Sequence, residues 1–157
     1  PGGAGVGFVA SDLLRLPFAD RAFDLVLAYR LLAHVVRWPE FLAELCRVAR
    51  REVVVDYAEL CSVNLIAQRF FKAKLALEKN TRPFACFRRA ELLGVLAARG
   101  FGRPAARPQC FWPLALHRGL QRPGLSRLLE GTAAGLGLTS RLGSPVVLRV
   151  ERLEPPA

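Results

Sequence analysis

The fold of this chain is constrained most by two nearly continuous apolar runs. They lie on either side of a segment whose apolar residues have helical spacing. The first run is Ala22–Tyr29 and the second is Glu52–Tyr57. Such runs predict strands that are buried on both faces, as in a parallel sheet covered by helices. Between them, Pro39 suits the first turn of a helix, and the apolar residues that follow it up to Arg50 recur at helical spacing. This order of strand, helix and strand predicts a right-handed crossover unit and an α/β fold.

The rest of the chain predicts further short strands and helices without an internal repeat. Val6–Asp12 is a short apolar run that predicts a strand, and Arg89–Arg99 predicts a helix capped by Gly100. Ser144–Leu153 alternates well enough to predict a partly exposed strand near the sheet edge. Weaker patterns predict a helix at Ser62–Lys79, a broken strand at Arg107–Leu116 and a helix at Leu120–Leu136.

Composition and charge narrow the class of protein. The chain has 157 residues, 52% of them hydrophobic, which is enough for one domain with a core. A formal net charge of +10 admits a nucleic-acid-binding module, but the arginines are scattered along the whole length, which favours ordinary solvated surfaces. The four cysteines form no CxxC pair, so we expect reduced thiols and no metal site. Without an apolar run of membrane-spanning length or a secretory leader, we expect no membrane span and a cytoplasmic location.

Three consecutive pieces of the sequence carry a family resemblance. They are Phe8–Asp12, Leu16–Asp20 and Phe23–Val26, and together they resemble the strand 3 and strand 4 block of class I S-adenosylmethionine-dependent methyltransferases of type 11. The resemblance continues in order through the segments Leu32–Val35, Leu42–Arg50, Val53–Asp56, Glu91–Leu93 and Arg99–Phe101. An ordered series over most of the chain is far more specific than any one piece.

The resemblance implies a Rossmann-like, mostly parallel sheet with helices on both faces. Gly3–Gly7 has the spelling of the family's glycine loop, but no strand precedes it and a strand rather than a helix is predicted to follow it. We therefore expect residues 1–157 to be a partial methyltransferase domain that is truncated at its N-terminus and runs from strand 3 onward. In that case the sheet is incomplete, because the first strands and the glycine loop are missing. Segments 62–88 and 112–136 occupy positions that often cover the acceptor in the family.

The resemblance also implies cofactor-binding residues at the carboxyl ends of the strands, where open α/β sheets bind ligands. Asp12 is placed to accept a hydrogen bond from the adenine amine of S-adenosylmethionine, with Ser11 and Leu13 as its neighbours. The alternative is a carboxylate that caps the following turn. Tyr29 and Arg30 fall at the rim nearest the sulfonium, although ordinary loop termination is an equally good interpretation.

Three further residues are candidates on the acceptor side. His34 can orient an acceptor or act as a general base, although a histidine that opens the next helix is the commoner case. Asp56 and Tyr57 end a predicted strand and can face the acceptor, with a strand-end cap as the alternative.

The resemblance thus implies methyl transfer from S-adenosylmethionine to a small or lipid-like acceptor, as part of a larger chain. Because the methyl donor is already activated, such an enzyme mainly aligns its reactants and needs no catalytic triad or metal. Two alternatives stay open: a degenerate or fragmentary domain without enzymatic activity, and a basic module that binds nucleic acid.

Overall fold

The computed structural model describes residues 5–60, 85–112, 116 and 121–153. Four strands and four α-helices alternate along these residues, and the predicted helix at Ser62–Lys79 lies outside them. In chain order they are β1 (Phe23–Ala28), a 3-10 turn (Leu32–His34), α1 (Trp38–Val48), β2 (Ala49–Tyr57), α2 (Arg89–Ala97), β3 (Phe101–Pro108), α3 (Pro123–Gly135), α4 (Leu138–Leu142) and β4 (Val146–Arg152).

The four strands form one sheet in the order β1-β2-β4-β3. β1 and β2 are parallel, with Val26 beside Val53, whereas β4 runs antiparallel to both β2 and β3. The predicted α/β class is confirmed, but a mostly parallel sheet is not, because only one of the three strand pairs within the described residues is parallel. The reason is that α3 and α4 return the chain to the end where β3 finishes, so that Val146 starts β4 beside Pro108.

The helices begin and end where the local sequence predicts. Pro39 lies in the first turn of α1, where its missing N–H is not needed. At the start of α2, the Arg88 N–H donates to the Glu91 carboxylate at 3.3 Å, and Gly100 past its end adopts the left-handed conformation with φ +77°. These caps confirm the helical spacing found in the sequence.

The core lies on one face of the sheet, which we call the helix-covered face. Buried residues of α1 and α2, such as Leu42 and Leu92, pack there against alternate residues of β2 and β4, such as Val53 and Leu148. The opposite face, which we call the open face, carries Leu25, Leu27, Glu52, Val54, Asp56, Val147 and Arg149, as the strand register requires. No helix of the described ranges has the length and apolar content needed to cross a bilayer.

Two predictions from the sequence are wrong. Val6–Asp12 forms no strand, and its apolar side chains are exposed, Phe8 to 93%. A strand needs a hydrogen-bonded neighbour, and β1 pairs with β2 alone among the described strands, so these residues have no partner. The third strand in chain order begins at Phe101 rather than at Arg107, because it starts directly after the Gly100 cap.

Candidate cofactor and acceptor site

The ends of β1 and β2 bring three predicted site residues together. Tyr29, Arg30 and Asp56 line one cavity of about 600 Å³ that lies against the open face of the sheet. Tyr29 is 50% exposed and Arg30 is also exposed, so both side chains can be reached by a ligand. Asp56 is 9% exposed and is one of the few buried acidic residues of the described chain. These ends form the carboxyl edge of the parallel strand pair, where open α/β sheets bind ligands.

A hydrogen bond joins the two strand ends within this cavity. Asp56 lies beyond the last residue of β2 that pairs with β1, and its Oδ1 accepts a bond from the Arg30 N–H at 2.5 Å. Arg30 has a φ of +55°, in the left-handed region that residues other than glycine rarely occupy. The carboxylate therefore fixes a strained turn at the end of β1.

Asp12 lies in a tight turn at the surface. Its Oδ1 accepts a hydrogen bond from the Leu14 N–H at 2.9 Å, and its carbonyl accepts one from the Arg15 N–H at 3.1 Å. The turn-capping role considered for this residue is thus present in the structure. Ser11, Asp12 and Leu13 are all exposed, and no other hydrogen bond from the described residues reaches the Asp12 carboxylate.

Asp12 also lies near the start of α1, because its charge contributes to the pKa of Arg37. The Glu40 carboxylate, by hydrogen bond and charge, raises the pKa of the Arg37 guanidinium, and Asp12 adds a smaller contribution. The turn at residue 12 is therefore close to the segment that links His34 to α1.

The loop that follows Asp12 is anchored to α1 by two charged residues. The Glu44 carboxylate accepts a hydrogen bond from the Leu16 N–H at 2.8 Å. The Arg47 guanidinium donates to the carbonyls of Leu16 and Phe18, at 3.0 and 2.8 Å, and pairs with Glu44 and Asp20. Its hydrogen bond to Glu44 lowers the pKa of that carboxyl group below its ordinary value. Glu44 and Arg47 thus hold the Leu16–Asp20 loop against α1.

His34 ends the 3-10 turn that follows β1, and its side chain is exposed. The neighbouring Ala33 carbonyl accepts a hydrogen bond from the Ala85 N–H at 2.9 Å, so this turn lies beside the segment that leads into α2. His34 does not line the cavity with Tyr29 and Arg30.

Tyr57 and Asp56 point to opposite faces of the sheet. The Tyr57 side chain is 2% exposed and lies on the helix-covered face, where its hydroxyl donates to Glu59 Oε2 at 2.9 Å and accepts from Arg89 Nε at 3.1 Å. Burial is the main reason that the pKa of Tyr57 rises to about 12. Glu59 was not among the predicted site residues, although a carboxylate in an apolar stretch directly after a predicted strand is a signal that could have indicated it.

The cysteines of the described residues show no catalytic arrangement. Cys46 lies on the buried side of α1, and burial raises the pKa of its thiol to about 12, which keeps it protonated. Within residues 5–60, 85–112, 116 and 121–153, no three His, Cys, Asp or Glu side chains are grouped so that they could hold a metal ion.

Comparisons with known proteins agree with this geometry. Residues 2–55 match the sequence model of a family described as a methyltransferase domain. A search of curated protein sequences finds no match.

Three solved structures share the fold at low sequence identity. An S-adenosylmethionine-dependent methyltransferase of Thermotoga maritima, described as a possible histamine N-methyltransferase, has a TM-score of 0.63 at 17% identity, covering 94% of this chain and 65% of that one. The magnesium protoporphyrin IX methyltransferase ChlM of Synechocystis, with bound S-adenosylhomocysteine, has a TM-score of 0.55 at 16% identity, covering 92% and 50%. The [4+2]-cyclase SpnF has a TM-score of 0.57 at 17% identity, covering 94% and 56%.

This chain thus spans 65% and 50% of the first two of these structures, which share its fold. The sequence match and the shared fold confirm the resemblance found in the ordered motifs. Residues 2–55 thus match a methyltransferase domain, and the described residues share the fold of S-adenosylmethionine-dependent methyltransferases.

Proposed function

We propose that this chain belongs to an enzyme that transfers a methyl group from S-adenosylmethionine to a small or lipid-like acceptor. The observation that carries the proposal is the match of residues 2–55 to a methyltransferase domain, because this segment contains both the Asp12 turn and the turn after β1. We place the enzyme in the cytoplasm, where a reduced thiol such as Cys46 is the normal state.

The residues of the Asp12 turn fit the adenine end of the cofactor. One oxygen of the carboxylate holds the Leu14 N–H, and the other has no hydrogen-bond partner among the described residues. That oxygen can accept a hydrogen bond from an exocyclic amine, while Ser11 and the exposed Leu13 side chain flank the ring. The turn-capping and adenine-binding roles of Asp12 are therefore compatible, because each uses a different oxygen.

Tyr29 and Arg30 fit the methionine end of the cofactor, because both are exposed on the cavity wall at the end of β1. S-adenosylmethionine, when bound, supplies a methyl group that is already activated by its sulfonium sulfur. Held by Tyr29 and Arg30, the cofactor would supply this methyl group to the acceptor and would be released as S-adenosylhomocysteine. The protein then has to align the acceptor and, for some nucleophiles, remove one proton.

We assign the acceptor side to His34, Asp56 and Tyr57, with different weight. His34 is the candidate base, because its exposed imidazole lies just past β1 and an imidazole can accept a proton from an acceptor. Asp56 lines the cavity beside Tyr29, so it is better placed to face an acceptor than the buried Tyr57.

The acceptor-covering segments 62–88 and 112–136 lie partly outside the described residues. Trp112 is described: its backbone N–H donates to Glu130 and its indole N–H to the Leu129 carbonyl, at 3.0 and 3.3 Å. The Phe111 and Trp112 rings meet edge to face, with centroids 5.1 Å apart. This aromatic pair against α3 supports an apolar, lipid-like acceptor.

The substitution Asp12→Asn tests the cofactor assignment with little disturbance of the fold. The asparagine carbonyl keeps the bond to the Leu14 N–H, but its amide group places a donor against the adenine amine. We expect the substitution to weaken binding of S-adenosylhomocysteine, measured by calorimetric titration, by about tenfold, the typical effect of a lost hydrogen bond that involves a charged group.

The matched control is Asp24→Asn, which removes an exposed carboxylate at the other end of β1 and should leave the affinity unchanged. If neither residues 1–157 nor an N-terminally extended protein binds S-adenosylhomocysteine, the proposed function is wrong, and a domain without methyl-transfer activity replaces it.

The likeness to SpnF supports keeping the alternative of a domain without methyl-transfer activity, because that protein shares the fold and is described as a cyclase. The nucleic-acid alternative has less support. Several arginines are engaged by carboxylates or by backbone carbonyls, notably Arg47, Arg149 and Arg152. A steep salt dependence of binding to single-stranded DNA would favour that alternative instead.

A further inference from the structure

The turn that follows β1 holds a residue in a conformation that its side chain disfavours. Arg30 has a φ of +55°, and an L residue other than glycine is destabilised there by contact between its Cβ and the backbone. Such a conformation persists when the surrounding structure holds it, and it occurs often at ligand sites. The question is which contact holds the Arg30 turn.

The contact comes from the neighbouring strand. The last residue of β1 that pairs with β2 is Ala28, beside Val55, so Asp56 extends past the paired part of the strands. From there Asp56 Oδ1 accepts the Arg30 N–H at 2.5 Å, in a bond assisted by the charge of the carboxylate. The Asp56 side chain is largely buried, which shields this bond from competing water.

The same residue also lines the cavity. Asp56 lines the cavity between Tyr29 and Arg30 on one side and Val54 on the other. None of the described residues donates a hydrogen bond to Asp56 Oδ2. The carboxylate thus joins the end of β2, which we assigned to the acceptor, to the end of β1, which we assigned to the cofactor.

We propose that Asp56 is a positioning residue for the cofactor rim: by holding the Arg30 N–H it fixes the turn that presents Tyr29 and Arg30. This inference rests on the proposed function and gives Asp56 a role that an acceptor contact does not include. If it is correct, Asp56 affects the affinity for S-adenosylhomocysteine when no acceptor is present.

The test compares two substitutions of Asp56 in the purified protein. Asp56→Ala removes the hydrogen-bond acceptor and should weaken binding of S-adenosylhomocysteine by about tenfold. Asp56→Asn keeps a carbonyl at the Oδ1 position and should restore the affinity to within about twofold of the original. The matched control is Glu52→Ala, which removes another carboxylate from the same strand and the same face, at its other end, where it pairs with Arg149.

A second measurement reads the hydrogen bond directly, without a ligand. Amide hydrogen exchange at Arg30 should be about tenfold faster in Asp56→Ala than in the original protein, and unchanged in Glu52→Ala. If exchange at Arg30 is unaffected by Asp56→Ala, the proposal is wrong. If Asp56→Asn binds as weakly as Asp56→Ala, the carboxylate acts through its charge and not by positioning, which also overturns the proposal.

Two further outcomes separate this proposal from the function on which it rests. If neither this chain nor an N-terminally extended protein binds S-adenosylhomocysteine, the proposed function fails, while exchange at Arg30 still tests the positioning role. If Asp56→Ala does not fold, Arg30→Gly provides a background in which the turn forms without strain. In that background, adding Asp56→Ala should weaken binding by less than about threefold, and a full tenfold loss would contradict the proposal.

Discussion

The two faces of the same four-stranded sheet differ sharply in how the described residues cover them. On the helix-covered face, Val53, Leu148 and Val150 are almost completely buried beneath α1 and α2. On the open face, Leu25 and Leu27 of β1 remain largely exposed. Because side chains alternate along a strand, residues next to each other in sequence experience these two environments.

The difference separates the face that stabilises the fold from the face that carries the candidate site. The helix-covered face contributes the apolar burial that stabilises the fold. The open face carries the cavity with Tyr29, Arg30 and Asp56 at its carboxyl end, and β1 offers an outer edge to which no described strand is paired. Unpaired strand edges with apolar side chains promote association with other chains. We therefore expect the isolated polypeptide to be poorly stable and prone to associate.

The difference in burial between the two faces is tested most directly by truncating one leucine on each side of the sheet. Leu42→Ala removes a side chain with 0% exposure on the helix-covered face, and it should lower the free energy of unfolding by about 2–5 kcal/mol. Leu27→Ala removes the same atoms from a side chain that is 59% exposed, and it should cost about 0.5 kcal/mol or less. Urea unfolding of both variants measures the difference.

Equal losses from the two leucine substitutions would contradict the description of the open face. They would show that Leu27 is covered in solution by residues outside the described ranges or by another chain. A loss that depends on protein concentration for Leu27→Ala alone would identify the second case.

A smaller effect is expected from the charged residue that connects α1 to the Asp12 loop. Arg47→Met keeps the apolar stem but removes four anchoring contacts, to Leu16, Phe18, Asp20 and Glu44, and should cost about 2 kcal/mol. Arg50→Met is the control, because Arg50 is more exposed and pairs with Asp24 at 3.3 Å, a contact worth about 0.5 kcal/mol or less. Thermal unfolding compares the two, and equal shifts would show that the Arg47 contacts do not anchor the loop.

The smallest expected effect concerns Tyr57, which ends β2 and whose side chain lies on the helix-covered face. Burial raises the pKa of its phenol to about 12, above its value in the unfolded chain, so the unfolded state loses this proton first as pH rises. The stabilisation from Tyr57 is thus complete below about pH 10 and declines as pH rises toward 12.

Tyr57→Phe removes this titration together with the hydrogen bonds to Glu59 and Arg89, and it should cost about 1 kcal/mol at neutral pH. The difference in the free energy of unfolding between the original protein and Tyr57→Phe should become smaller between pH 10 and 12, as measured by urea unfolding at each pH. A difference that stays constant would mean that the phenol is not protected from solvent.

The sequence predicted the elements whose signals are local. The apolar runs and the helical spacing located β1, α1 and β2 to within a few residues, because the periodicities of strands and helices appear in the local order of apolar residues. Val53–Tyr57 is buried on both faces as predicted, but β1 is not. Burial of β1 depends on which residues cover Leu25 and Leu27, and an apolar run alone does not indicate whether such residues are present.

The contacts of the candidate site depend on pairings between distant residues. The bond from Arg30 to Asp56 joins residues 26 positions apart, and that from Arg89 to Tyr57 joins residues 32 apart. A single sequence contains no sign of such partners until the register of the strands is known. The family resemblance pointed to Asp12, Tyr29, Arg30 and Asp56 as candidates, but the geometry supplied the reason that Asp56 and Arg30 belong together.

The measurement that tests the central claim most directly is amide hydrogen exchange of the protein with and without S-adenosylhomocysteine. We expect the ligand to slow exchange in residues 11–14 and 28–34, around Asp12 and the end of β1, and to leave residues 89–97 of α2, which do not line the cavity, unchanged. Exchange that is the same throughout the protein with and without ligand, or slowed only in β3 and β4, would contradict the placement of the cofactor at the end of β1.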